Sequence, residues 1–253
     1  MPFDKQPLVS VIIPLFNYEK YISDCITSVQ KQDYDNYEII VCDDCSTDGS
    51  FAIAKSFEDD HIKIMKLEKN SGYSVAKNEA IIASRGELIT CIDADDLFTK
   101  KSISSRVKAM GKFDVPFIHA RAISVKGDIS LKDCYKIDPK TASRETPRVH
   151  AQTVMLKRFV HVKFGLYDET LRSRADKEMW WRLFGKDDTC EFKIKKKQIK
   201  KDVAYYRKHT QSMMVKRRKD PKLQRRLTDQ LNKAYEMRKS EGITRKNTRF
   251  LEA

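Results

Sequence analysis

Over the first hundred positions, apolar residues come in short continuous runs that alternate with segments where they recur at helical spacing. Residues 8–16 (LVSVIIPLF) form a nearly unbroken, β-branched apolar run closed by Pro14, the pattern of a strand buried on both faces of a parallel sheet. Tyr21, Ile22, Cys25, Ile26 and Val29 then repeat every three or four positions, as on one face of an amphipathic helix. A second strand is predicted over 38–42 (EIIVC), ending in Asp43 and Asp44, with a helix starting near Ser46 or Asp48, both good caps. A third strand over 62–67 precedes Asn70, Ser71 and Gly72. A helix over 75–83 then leads through Arg85 and Gly86 to a fourth strand over 88–92, which stops at Asp93, Ala94, Asp95 and Asp96.

Strands alternating with helices predict an α/β fold with right-handed crossovers and a mostly parallel central sheet flanked by helices. In open sheets of this kind ligands gather at the carboxyl ends of the strands. Three such ends carry the informative residues: positions 14–17, Asp43 with Asp44, and positions 93–96. Beyond Lys100 the pattern is less regular, with a helix over 102–110, a strand over 115–122 and a polar, loop-like stretch over 126–148. A helix over 176–184 has Met179, Trp180, Leu183 and Phe184 on its buried face, so core packing is the better reading of Trp180 and Trp181 than stacking on a sugar ring. Weak alternation over 193–201, a strand-like 203–206 and a basic helix over 221–239 complete the chain. No repeat or low-complexity linker interrupts it, and the expected organisation is one domain over 1–215, with halves meeting near 98, followed by a basic helical tail over 216–253.

The 253 residues, 40% of them hydrophobic, are enough for one α/β domain with an appendage. Charge changes the picture more than size does. Fifty Lys and Arg against 36 Asp and Glu leave a formal charge of +14, concentrated in Lys193, Lys195, Lys196, Lys197, Lys200, Lys201, Lys216, Arg217, Arg218, Arg225 and Arg226. That asymmetry points to an anionic partner such as a membrane surface, a polyanionic acceptor or nucleic acid, or else to a solvated charged face. No run approaches the roughly 18 apolar residues of a membrane span, and the first residues lack the order of a signal peptide. The expectation is a cytoplasmic protein in a reducing compartment, in peripheral contact with the inner face of the membrane through its basic region. Cys42 and Cys45 spell C-x-x-C, but no second pair at zinc spacing follows.

Asp93, Asp95 and Asp96 crowd carboxylates at the end of an apolar strand, where repulsion must be offset by something positive. Mg²⁺ or Mn²⁺ is the natural partner, because both prefer carboxylate oxygen and can hold substrate phosphates as well. Taken alone, D-x-D-D reads more simply as a solvated acidic turn. Asp43 and Asp44 end a neighbouring strand, so both acidic groups would face one crevice, and that context favours the cation.

Three blocks, VSVIIPLFN, VCDDCSTDGS and NSGYSVAKNEAIIASRGELITCIDADD, together resemble the family 2 glycosyltransferases of the GT-A fold, and a looser match continues through GLYDETLRSRADKEMWWRLF and YYRKHTQSMM to about Met214. The resemblance implies that Pro14, Phe16 and Asn17 line a nucleotide-base pocket and that Asp43 or Asp44 bonds the base. It makes Lys77 the basic residue that approaches the diphosphate. Asp93 would touch the ribose, with Ala94 beside it in the D-x-D motif, and Asp95 would bind the metal. Asp176 takes the place of the catalytic base, and His209 that of a histidine near the metal and phosphates. The activity implied by the resemblance is transfer of a sugar, with inversion, from a nucleotide-sugar to an acceptor hydroxyl on a glycan or lipid-linked saccharide. Family analogy puts UDP first among donor nucleotides. Ala175 where the family commonly has Glu, Cys45 and Ala80 where it has Gly, and Lys77 for a frequent Arg are departures. Two other function classes remain open, a nucleic-acid-binding protein suggested by the charge and a catalytically idle scaffold suggested by Ala175.

Overall fold

Four apolar strands build a parallel half-sheet in the order β3-β2-β1-β4: β1 (Val9–Leu15), β2 (Tyr37–Asp43), β3 (Ile62–Lys66) and β4 (Leu88–Cys91). This is a computed structural model, and it describes residues 3, 5–138, 140–144, 149–171, 173–185, 194–210 and 220–240. β1 lies between β2 and β4, and every one of its residues is buried. Its pairing with β4 ends at Ile12 and Cys91, while pairing with β2 continues through Pro14 to Leu15 and Asp43, so the two ladders part where the proline has no N–H to give.

The second half of the sheet is mixed. β7 (Val154–Lys157) runs antiparallel to β4, β6 (Phe117–Lys126) antiparallel to β7, β8 (Lys196–Lys208) parallel to β6, and the two-residue β5 (Leu97–Phe98) antiparallel to β8. The sequence pattern differs here in three ways. It carries no signal for β7 or β5, it ends β6 four residues early, and it divides β8 into two pieces. β8 is one strand of 13 residues, and irregular pairing with β6 around Arg121 breaks its alternation.

Helices cover both faces. On one lie α1 (Ile22–Gln30), α2 (Ser50–Lys55) and α4 (Ser102–Phe113), whose Ile22, Ile26, Val29, Ala54, Ile103 and Met110 meet the β1 side chains Val9, Val11 and Ile13. On the other lie α3 (Tyr73–Ile82), α6 (Phe159–Phe164), α7 (Ala175–Phe184) and α8 (Pro221–Ser240), joined by Ile12, Ile40 and Ile89. A short α5 (Leu131–Cys134), capped by Ser130, falls inside the stretch expected to be loop. Trp180 packs edge-on against Phe117 at 5.2 Å and Trp181 against Tyr235 of α8 at 5.6 Å, so both indoles serve the core. Of the basic positions, Lys193, Lys216, Arg217 and Arg218 lie outside the described residues, as does 211–214 of the looser match. Among the described residues no helix is long and apolar enough to cross a membrane.

One close approach registers the half-sheet. Gly86, just before β4, donates its N–H to Ser10 Oγ at 2.8 Å, and that hydroxyl donates to the buried Glu38 carboxylate at 2.7 Å. A Cβ on Gly86 would fall 2.6 Å from Ser10 N and 2.8 Å from Leu8 O, atoms of backbone that cannot swing aside. Gly86→Ala is therefore expected to destabilise the fold by about 2–3 kcal/mol, read as a lower urea midpoint at unchanged m-value.

Candidate active site

The apolar run of β4 delivers Asp93, Asp95 and Asp96 to the carboxyl edge of the sheet, where one ligand atom from each lies within 4.8 Å of the others. The three carboxylates are held in different ways. Asp96 is 1% exposed; its Oδ1 accepts from the Arg207 N–H at 2.8 Å and its Oδ2 from Gln152 Nε2 at 2.9 Å, so it ties β4 to β8 and to the turn before β7. Asp95 faces His209, whose Nε2 stands 2.9 Å from its Oδ2, and burial beside Asp95 raises the pKa of the Tyr18 hydroxyl. Asp93 accepts from the Tyr73 hydroxyl at 2.7 Å.

The positive charge that offsets this repulsion comes partly from the chain itself. Arg207 is fully buried behind the cluster, donating to the Asp95 carbonyl, to the Ile129 carbonyl and to Asp24 Oδ2, each at 3.0 Å. The guanidinium therefore bonds none of the three clustered carboxylates directly. Burial, reinforced by the neighbouring Asp95, pushes the Asp93 carboxyl up to about 6, with Lys77 and the Tyr73 hydrogen bond acting against the rise and Asp176 adding to it. Burial next to Asp95 and Asp93 likewise holds Asp96 well above the usual carboxylate range. Hard oxygen donors beside an imidazole suit Mg²⁺ or Mn²⁺, and a cluster still short of positive charge has reason to take one.

The other two strand ends surround this cluster. Phe16, 40% exposed, follows β1, whose Pro14 is buried. Asn17 has the left-handed φ of 55° and accepts from the Thr47 N–H at 2.8 Å, so its side chain clips the β1 loop to the β2 loop. Cys45 is also left-handed, at φ 61°, the conformation that a glycine at this position would adopt without strain. Asp44 spends both oxygens on the α3 entry, accepting from Ser71 N at 2.6 Å and Gly72 N at 2.8 Å. Asp43 accepts from Ser46 N through Oδ2 at 3.0 Å, while its buried Oδ1 has no partner among the described residues.

α7 brings Asp176 in from the far side, in its first turn, where the helix dipole favours a carboxylate. The buried Glu178–Arg182 pair fixes that helix: the guanidinium forks onto the carboxylate with two bonds of 2.9 Å and also donates to the carbonyls of Phe164 and Leu166. α3 grips the same loop, because Asn78 exchanges hydrogen bonds with the Tyr167 backbone and Ser74 donates to the Leu171 carbonyl at 2.8 Å.

Two of the expected site residues are buried. Lys77 is 0% exposed, with Nζ 4.0 Å from the centre of the Tyr167 ring and 3.4 Å from the Tyr73 hydroxyl. Its charge works against the rise of the Asp93 carboxyl. Ala94 is 1% exposed with its methyl in the core, so the middle position of the motif offers only backbone. The sequence pattern did not single out Tyr18, Tyr73 or Arg207. Tyr73 stands one helical turn before Lys77 and Arg207 two strand positions before His209, spacings that put each pair on one face.

A model of the family described as Glycosyl transferase family 2 matches residues 10–159. The chain is 36% identical over 112 residues to the UDP-Glc:alpha-D-GlcNAc-diphosphoundecaprenol beta-1,3-glucosyltransferase WfgD of Escherichia coli, covering 44% of each. Among solved structures it is similar to residues 1–349 of Staphylococcus aureus TarS in complex with UDP-GlcNAc, with a TM-score of 0.64 and 20% identity over 81% of this chain and 60% of that one. It is also similar to a mannosyltransferase from Pyrobaculum calidifontis in complex with GDP-Man and Mn²⁺, with a TM-score of 0.59 and 20% identity over 80% of this chain and 57% of that one. These likenesses give the GT-A fold. The chain spans 38% to 44% of the length of three curated glycosyltransferases that it matches.

The raised carboxyl gives a signed pH effect. Its folded value of about 6 lies above the ordinary 3.8, so ionising Asp93 opposes folding, and the loss of stability develops as pH rises through that interval. In metal-free buffer, Asp93→Asn is expected to raise Tm relative to the unsubstituted chain above pH ~6 and to lose that advantage toward pH ~4, which a thermal-melt series across pH measures.

Proposed function

The chain belongs to glycosyl transferase family 2, and from that premise we propose that it moves a sugar, with inversion, from a nucleotide-diphosphate sugar to an acceptor hydroxyl on a glycan or lipid-linked saccharide. The observation that carries this reading is the meeting of three separate strand ends with His209 on one side and Asp176 on the other, all around Asp95. A nucleic-acid-binding role is not favoured, since the family match and the fold point elsewhere.

On the donor side, Phe16 offers an exposed ring for the base, with Pro14 and Asn17 shaping the loop behind it. Asp43 is the better of the two candidates for bonding a base N–H, because its unpartnered oxygen can still accept while Asp44 is occupied by the α3 entry. Asp93, steadied by Tyr73, is oriented for ribose hydroxyls. UDP is the proposed nucleotide, in keeping with the UDP-Glc and UDP-GlcNAc named for the relatives. Asp95 and His209 would hold Mn²⁺ or Mg²⁺, in keeping with the Mn²⁺ complex of the mannosyltransferase, and the ion would stabilise charge on the departing diphosphate.

On the acceptor side, Asp176 takes the proton from the attacking hydroxyl as the new glycosidic bond forms. Attack from the face opposite the diphosphate inverts the anomeric carbon. The proposed organisation is a single GT-A domain over 1–215, its donor half ending near 98 and its acceptor half after it, with 216–253 as a basic extension. That basic region supports peripheral contact with the inner face of an anionic membrane, from the cytoplasmic side.

Asp95→Ala is expected to abolish the Mn²⁺-dependent thermal stabilisation by UDP together with donor turnover. Asp176→Asn should keep that stabilisation and lose about 100-fold or more in kcat, the scale of a lost general base. Undiminished turnover of the UDP-sugar donor with acceptor in either variant, measured by UDP release, would remove the mechanism.

A further inference from the structure

The His209 imidazole has a hydrogen bond on one nitrogen only. Its Nε2 faces Asp95 Oδ2 at 2.9 Å, while Nδ1 is buried and has no hydrogen-bond partner among the described residues. The side-chain torsion χ2 of histidine is broad and sets no ring orientation by itself, and a histidine that binds a metal is usually steadied by a hydrogen bond from its second nitrogen. The Asp95 contact orients the ring only while no cation is bound, because an ion shared by Asp95 and Nε2 takes the place of the proton between them. The N–H then sits on Nδ1, where no acceptor among the described residues meets it.

Aromatic packing supplies the missing restraint. The Tyr21 ring lies 4.7 Å from the His209 ring, centre to centre, with 36° between the planes, and the Tyr18 ring meets the same imidazole edge-on at 6.2 Å. Tyr21 is buried and is itself pinned at both ends. Its backbone opens α1, donating the N–H to the Tyr18 carbonyl at 2.9 Å and accepting from Cys25 N at 3.0 Å. Its hydroxyl donates to Asp128, in the turn after β6, whose other carboxylate oxygen pairs with Lys20. The Arg207 guanidinium stands 5.3 Å from the centre of the Tyr21 ring, so two side chains two positions apart at the end of β8 face one tyrosine.

We propose that Tyr21 is a positioning residue for the cation: its ring holds the His209 imidazole with Nε2 turned toward Asp95, and goes on doing so once an ion has displaced the hydrogen bond between them. This rests on the proposed place of His209 beside Asp95 at the ion. Tyr21 acts through His209 and not by binding the ion itself, since its hydroxyl is committed to Asp128. The ring is the part that acts. An aliphatic side chain of similar bulk fills the space without offering a plane for the imidazole to lie against. The helical spacing that marks Tyr21 as a residue of the apolar face of α1 carries no sign of this second role, because His209 reaches it only through the long course of β8.

The test titrates Mn²⁺ alone into the full chain and reads the electron paramagnetic resonance signal of the free ion. Tyr21→Leu is expected to weaken Mn²⁺ binding by about tenfold, the scale of a lost support behind a metal ligand, and Tyr21→Phe, which keeps the ring, by less than about threefold. In the His209→Ala background, Tyr21→Leu should cost less than about twofold further, because its effect runs through the missing imidazole. Where Tyr21→Leu does not fold, judged by a thermal melt in EDTA, Tyr21→Met takes its place with the same expected loss. Undiminished binding in the folded Tyr21→Leu chain, an equal loss in Tyr21→Phe, or the same loss of about tenfold on top of His209→Ala overturns the proposal. If His209→Ala itself weakens binding, those results leave the cation-holding cleft standing. An unsubstituted chain that binds no Mn²⁺, or a His209→Ala chain that binds it undiminished, overturns the place of His209 at the ion and this inference with it.

Discussion

Negative charge gathered at the end of a buried strand is the constraint that the structure is organised around. Asp93, Asp95 and Asp96 lie within a few ångströms of one another at the edge of an apolar sheet, and each is stabilised from a different direction. Arg207 supports the cluster from beneath, the Lys77–Tyr73 pair from the α3 side, and His209 from the end of β8. All three supports leave the open side of the cleft short of positive charge. On the proposed reading, such a cleft takes a cation that brings a diphosphate with it.

The same demand explains why the sheet is mixed. A purely parallel half-sheet would present the three carboxylates with nothing behind them. β8 crosses the molecule beside β6, pairs with β5 just after the cluster, and so brings Arg207 and His209 to residues more than a hundred positions earlier in the chain. α7 is fixed with comparable firmness, by a buried ion pair within the helix whose guanidinium also holds the Phe164 and Leu166 carbonyls and by α3 gripping the loop before it, so the first turn that carries Asp176 is held in place. The stability of α7 and the position of Asp176 are one problem, and α8 shares in it through Arg174.

Much of the donor half was legible because its signals are local. Short β-branched runs, helical spacing and acidic strand ends lie within a few residues of one another, and β1 to β4 with α1 to α3 follow from them. The second half depends on partners distant in sequence. β7 is four residues long and has no alternation to read, and its pairing with Thr90 and Ile118 exists only in the folded sheet. The bulged register of β8 hides a continuous strand behind an irregular pattern. Lys77 shows the limit most clearly: its place in the motif suggested a ligand contact, and the packing of the Tyr73 and Tyr167 rings around it is set by tertiary contacts that the local pattern does not carry. Asp43 and Asp44 were equivalent in sequence, and only the hydrogen bonds of the α3 entry separate them.

The most direct test of a cation-holding cleft is anomalous diffraction from crystals of this chain grown with Mn²⁺ and UDP. The expected result is a manganese peak bound to the Asp95 carboxylate, with the diphosphate on the ion, His209 alongside it and the base between Phe16 and Asp43. No manganese peak in the cleft, with the Asp95–His209 contact still at 2.9 Å and UDP lying elsewhere, would contradict it.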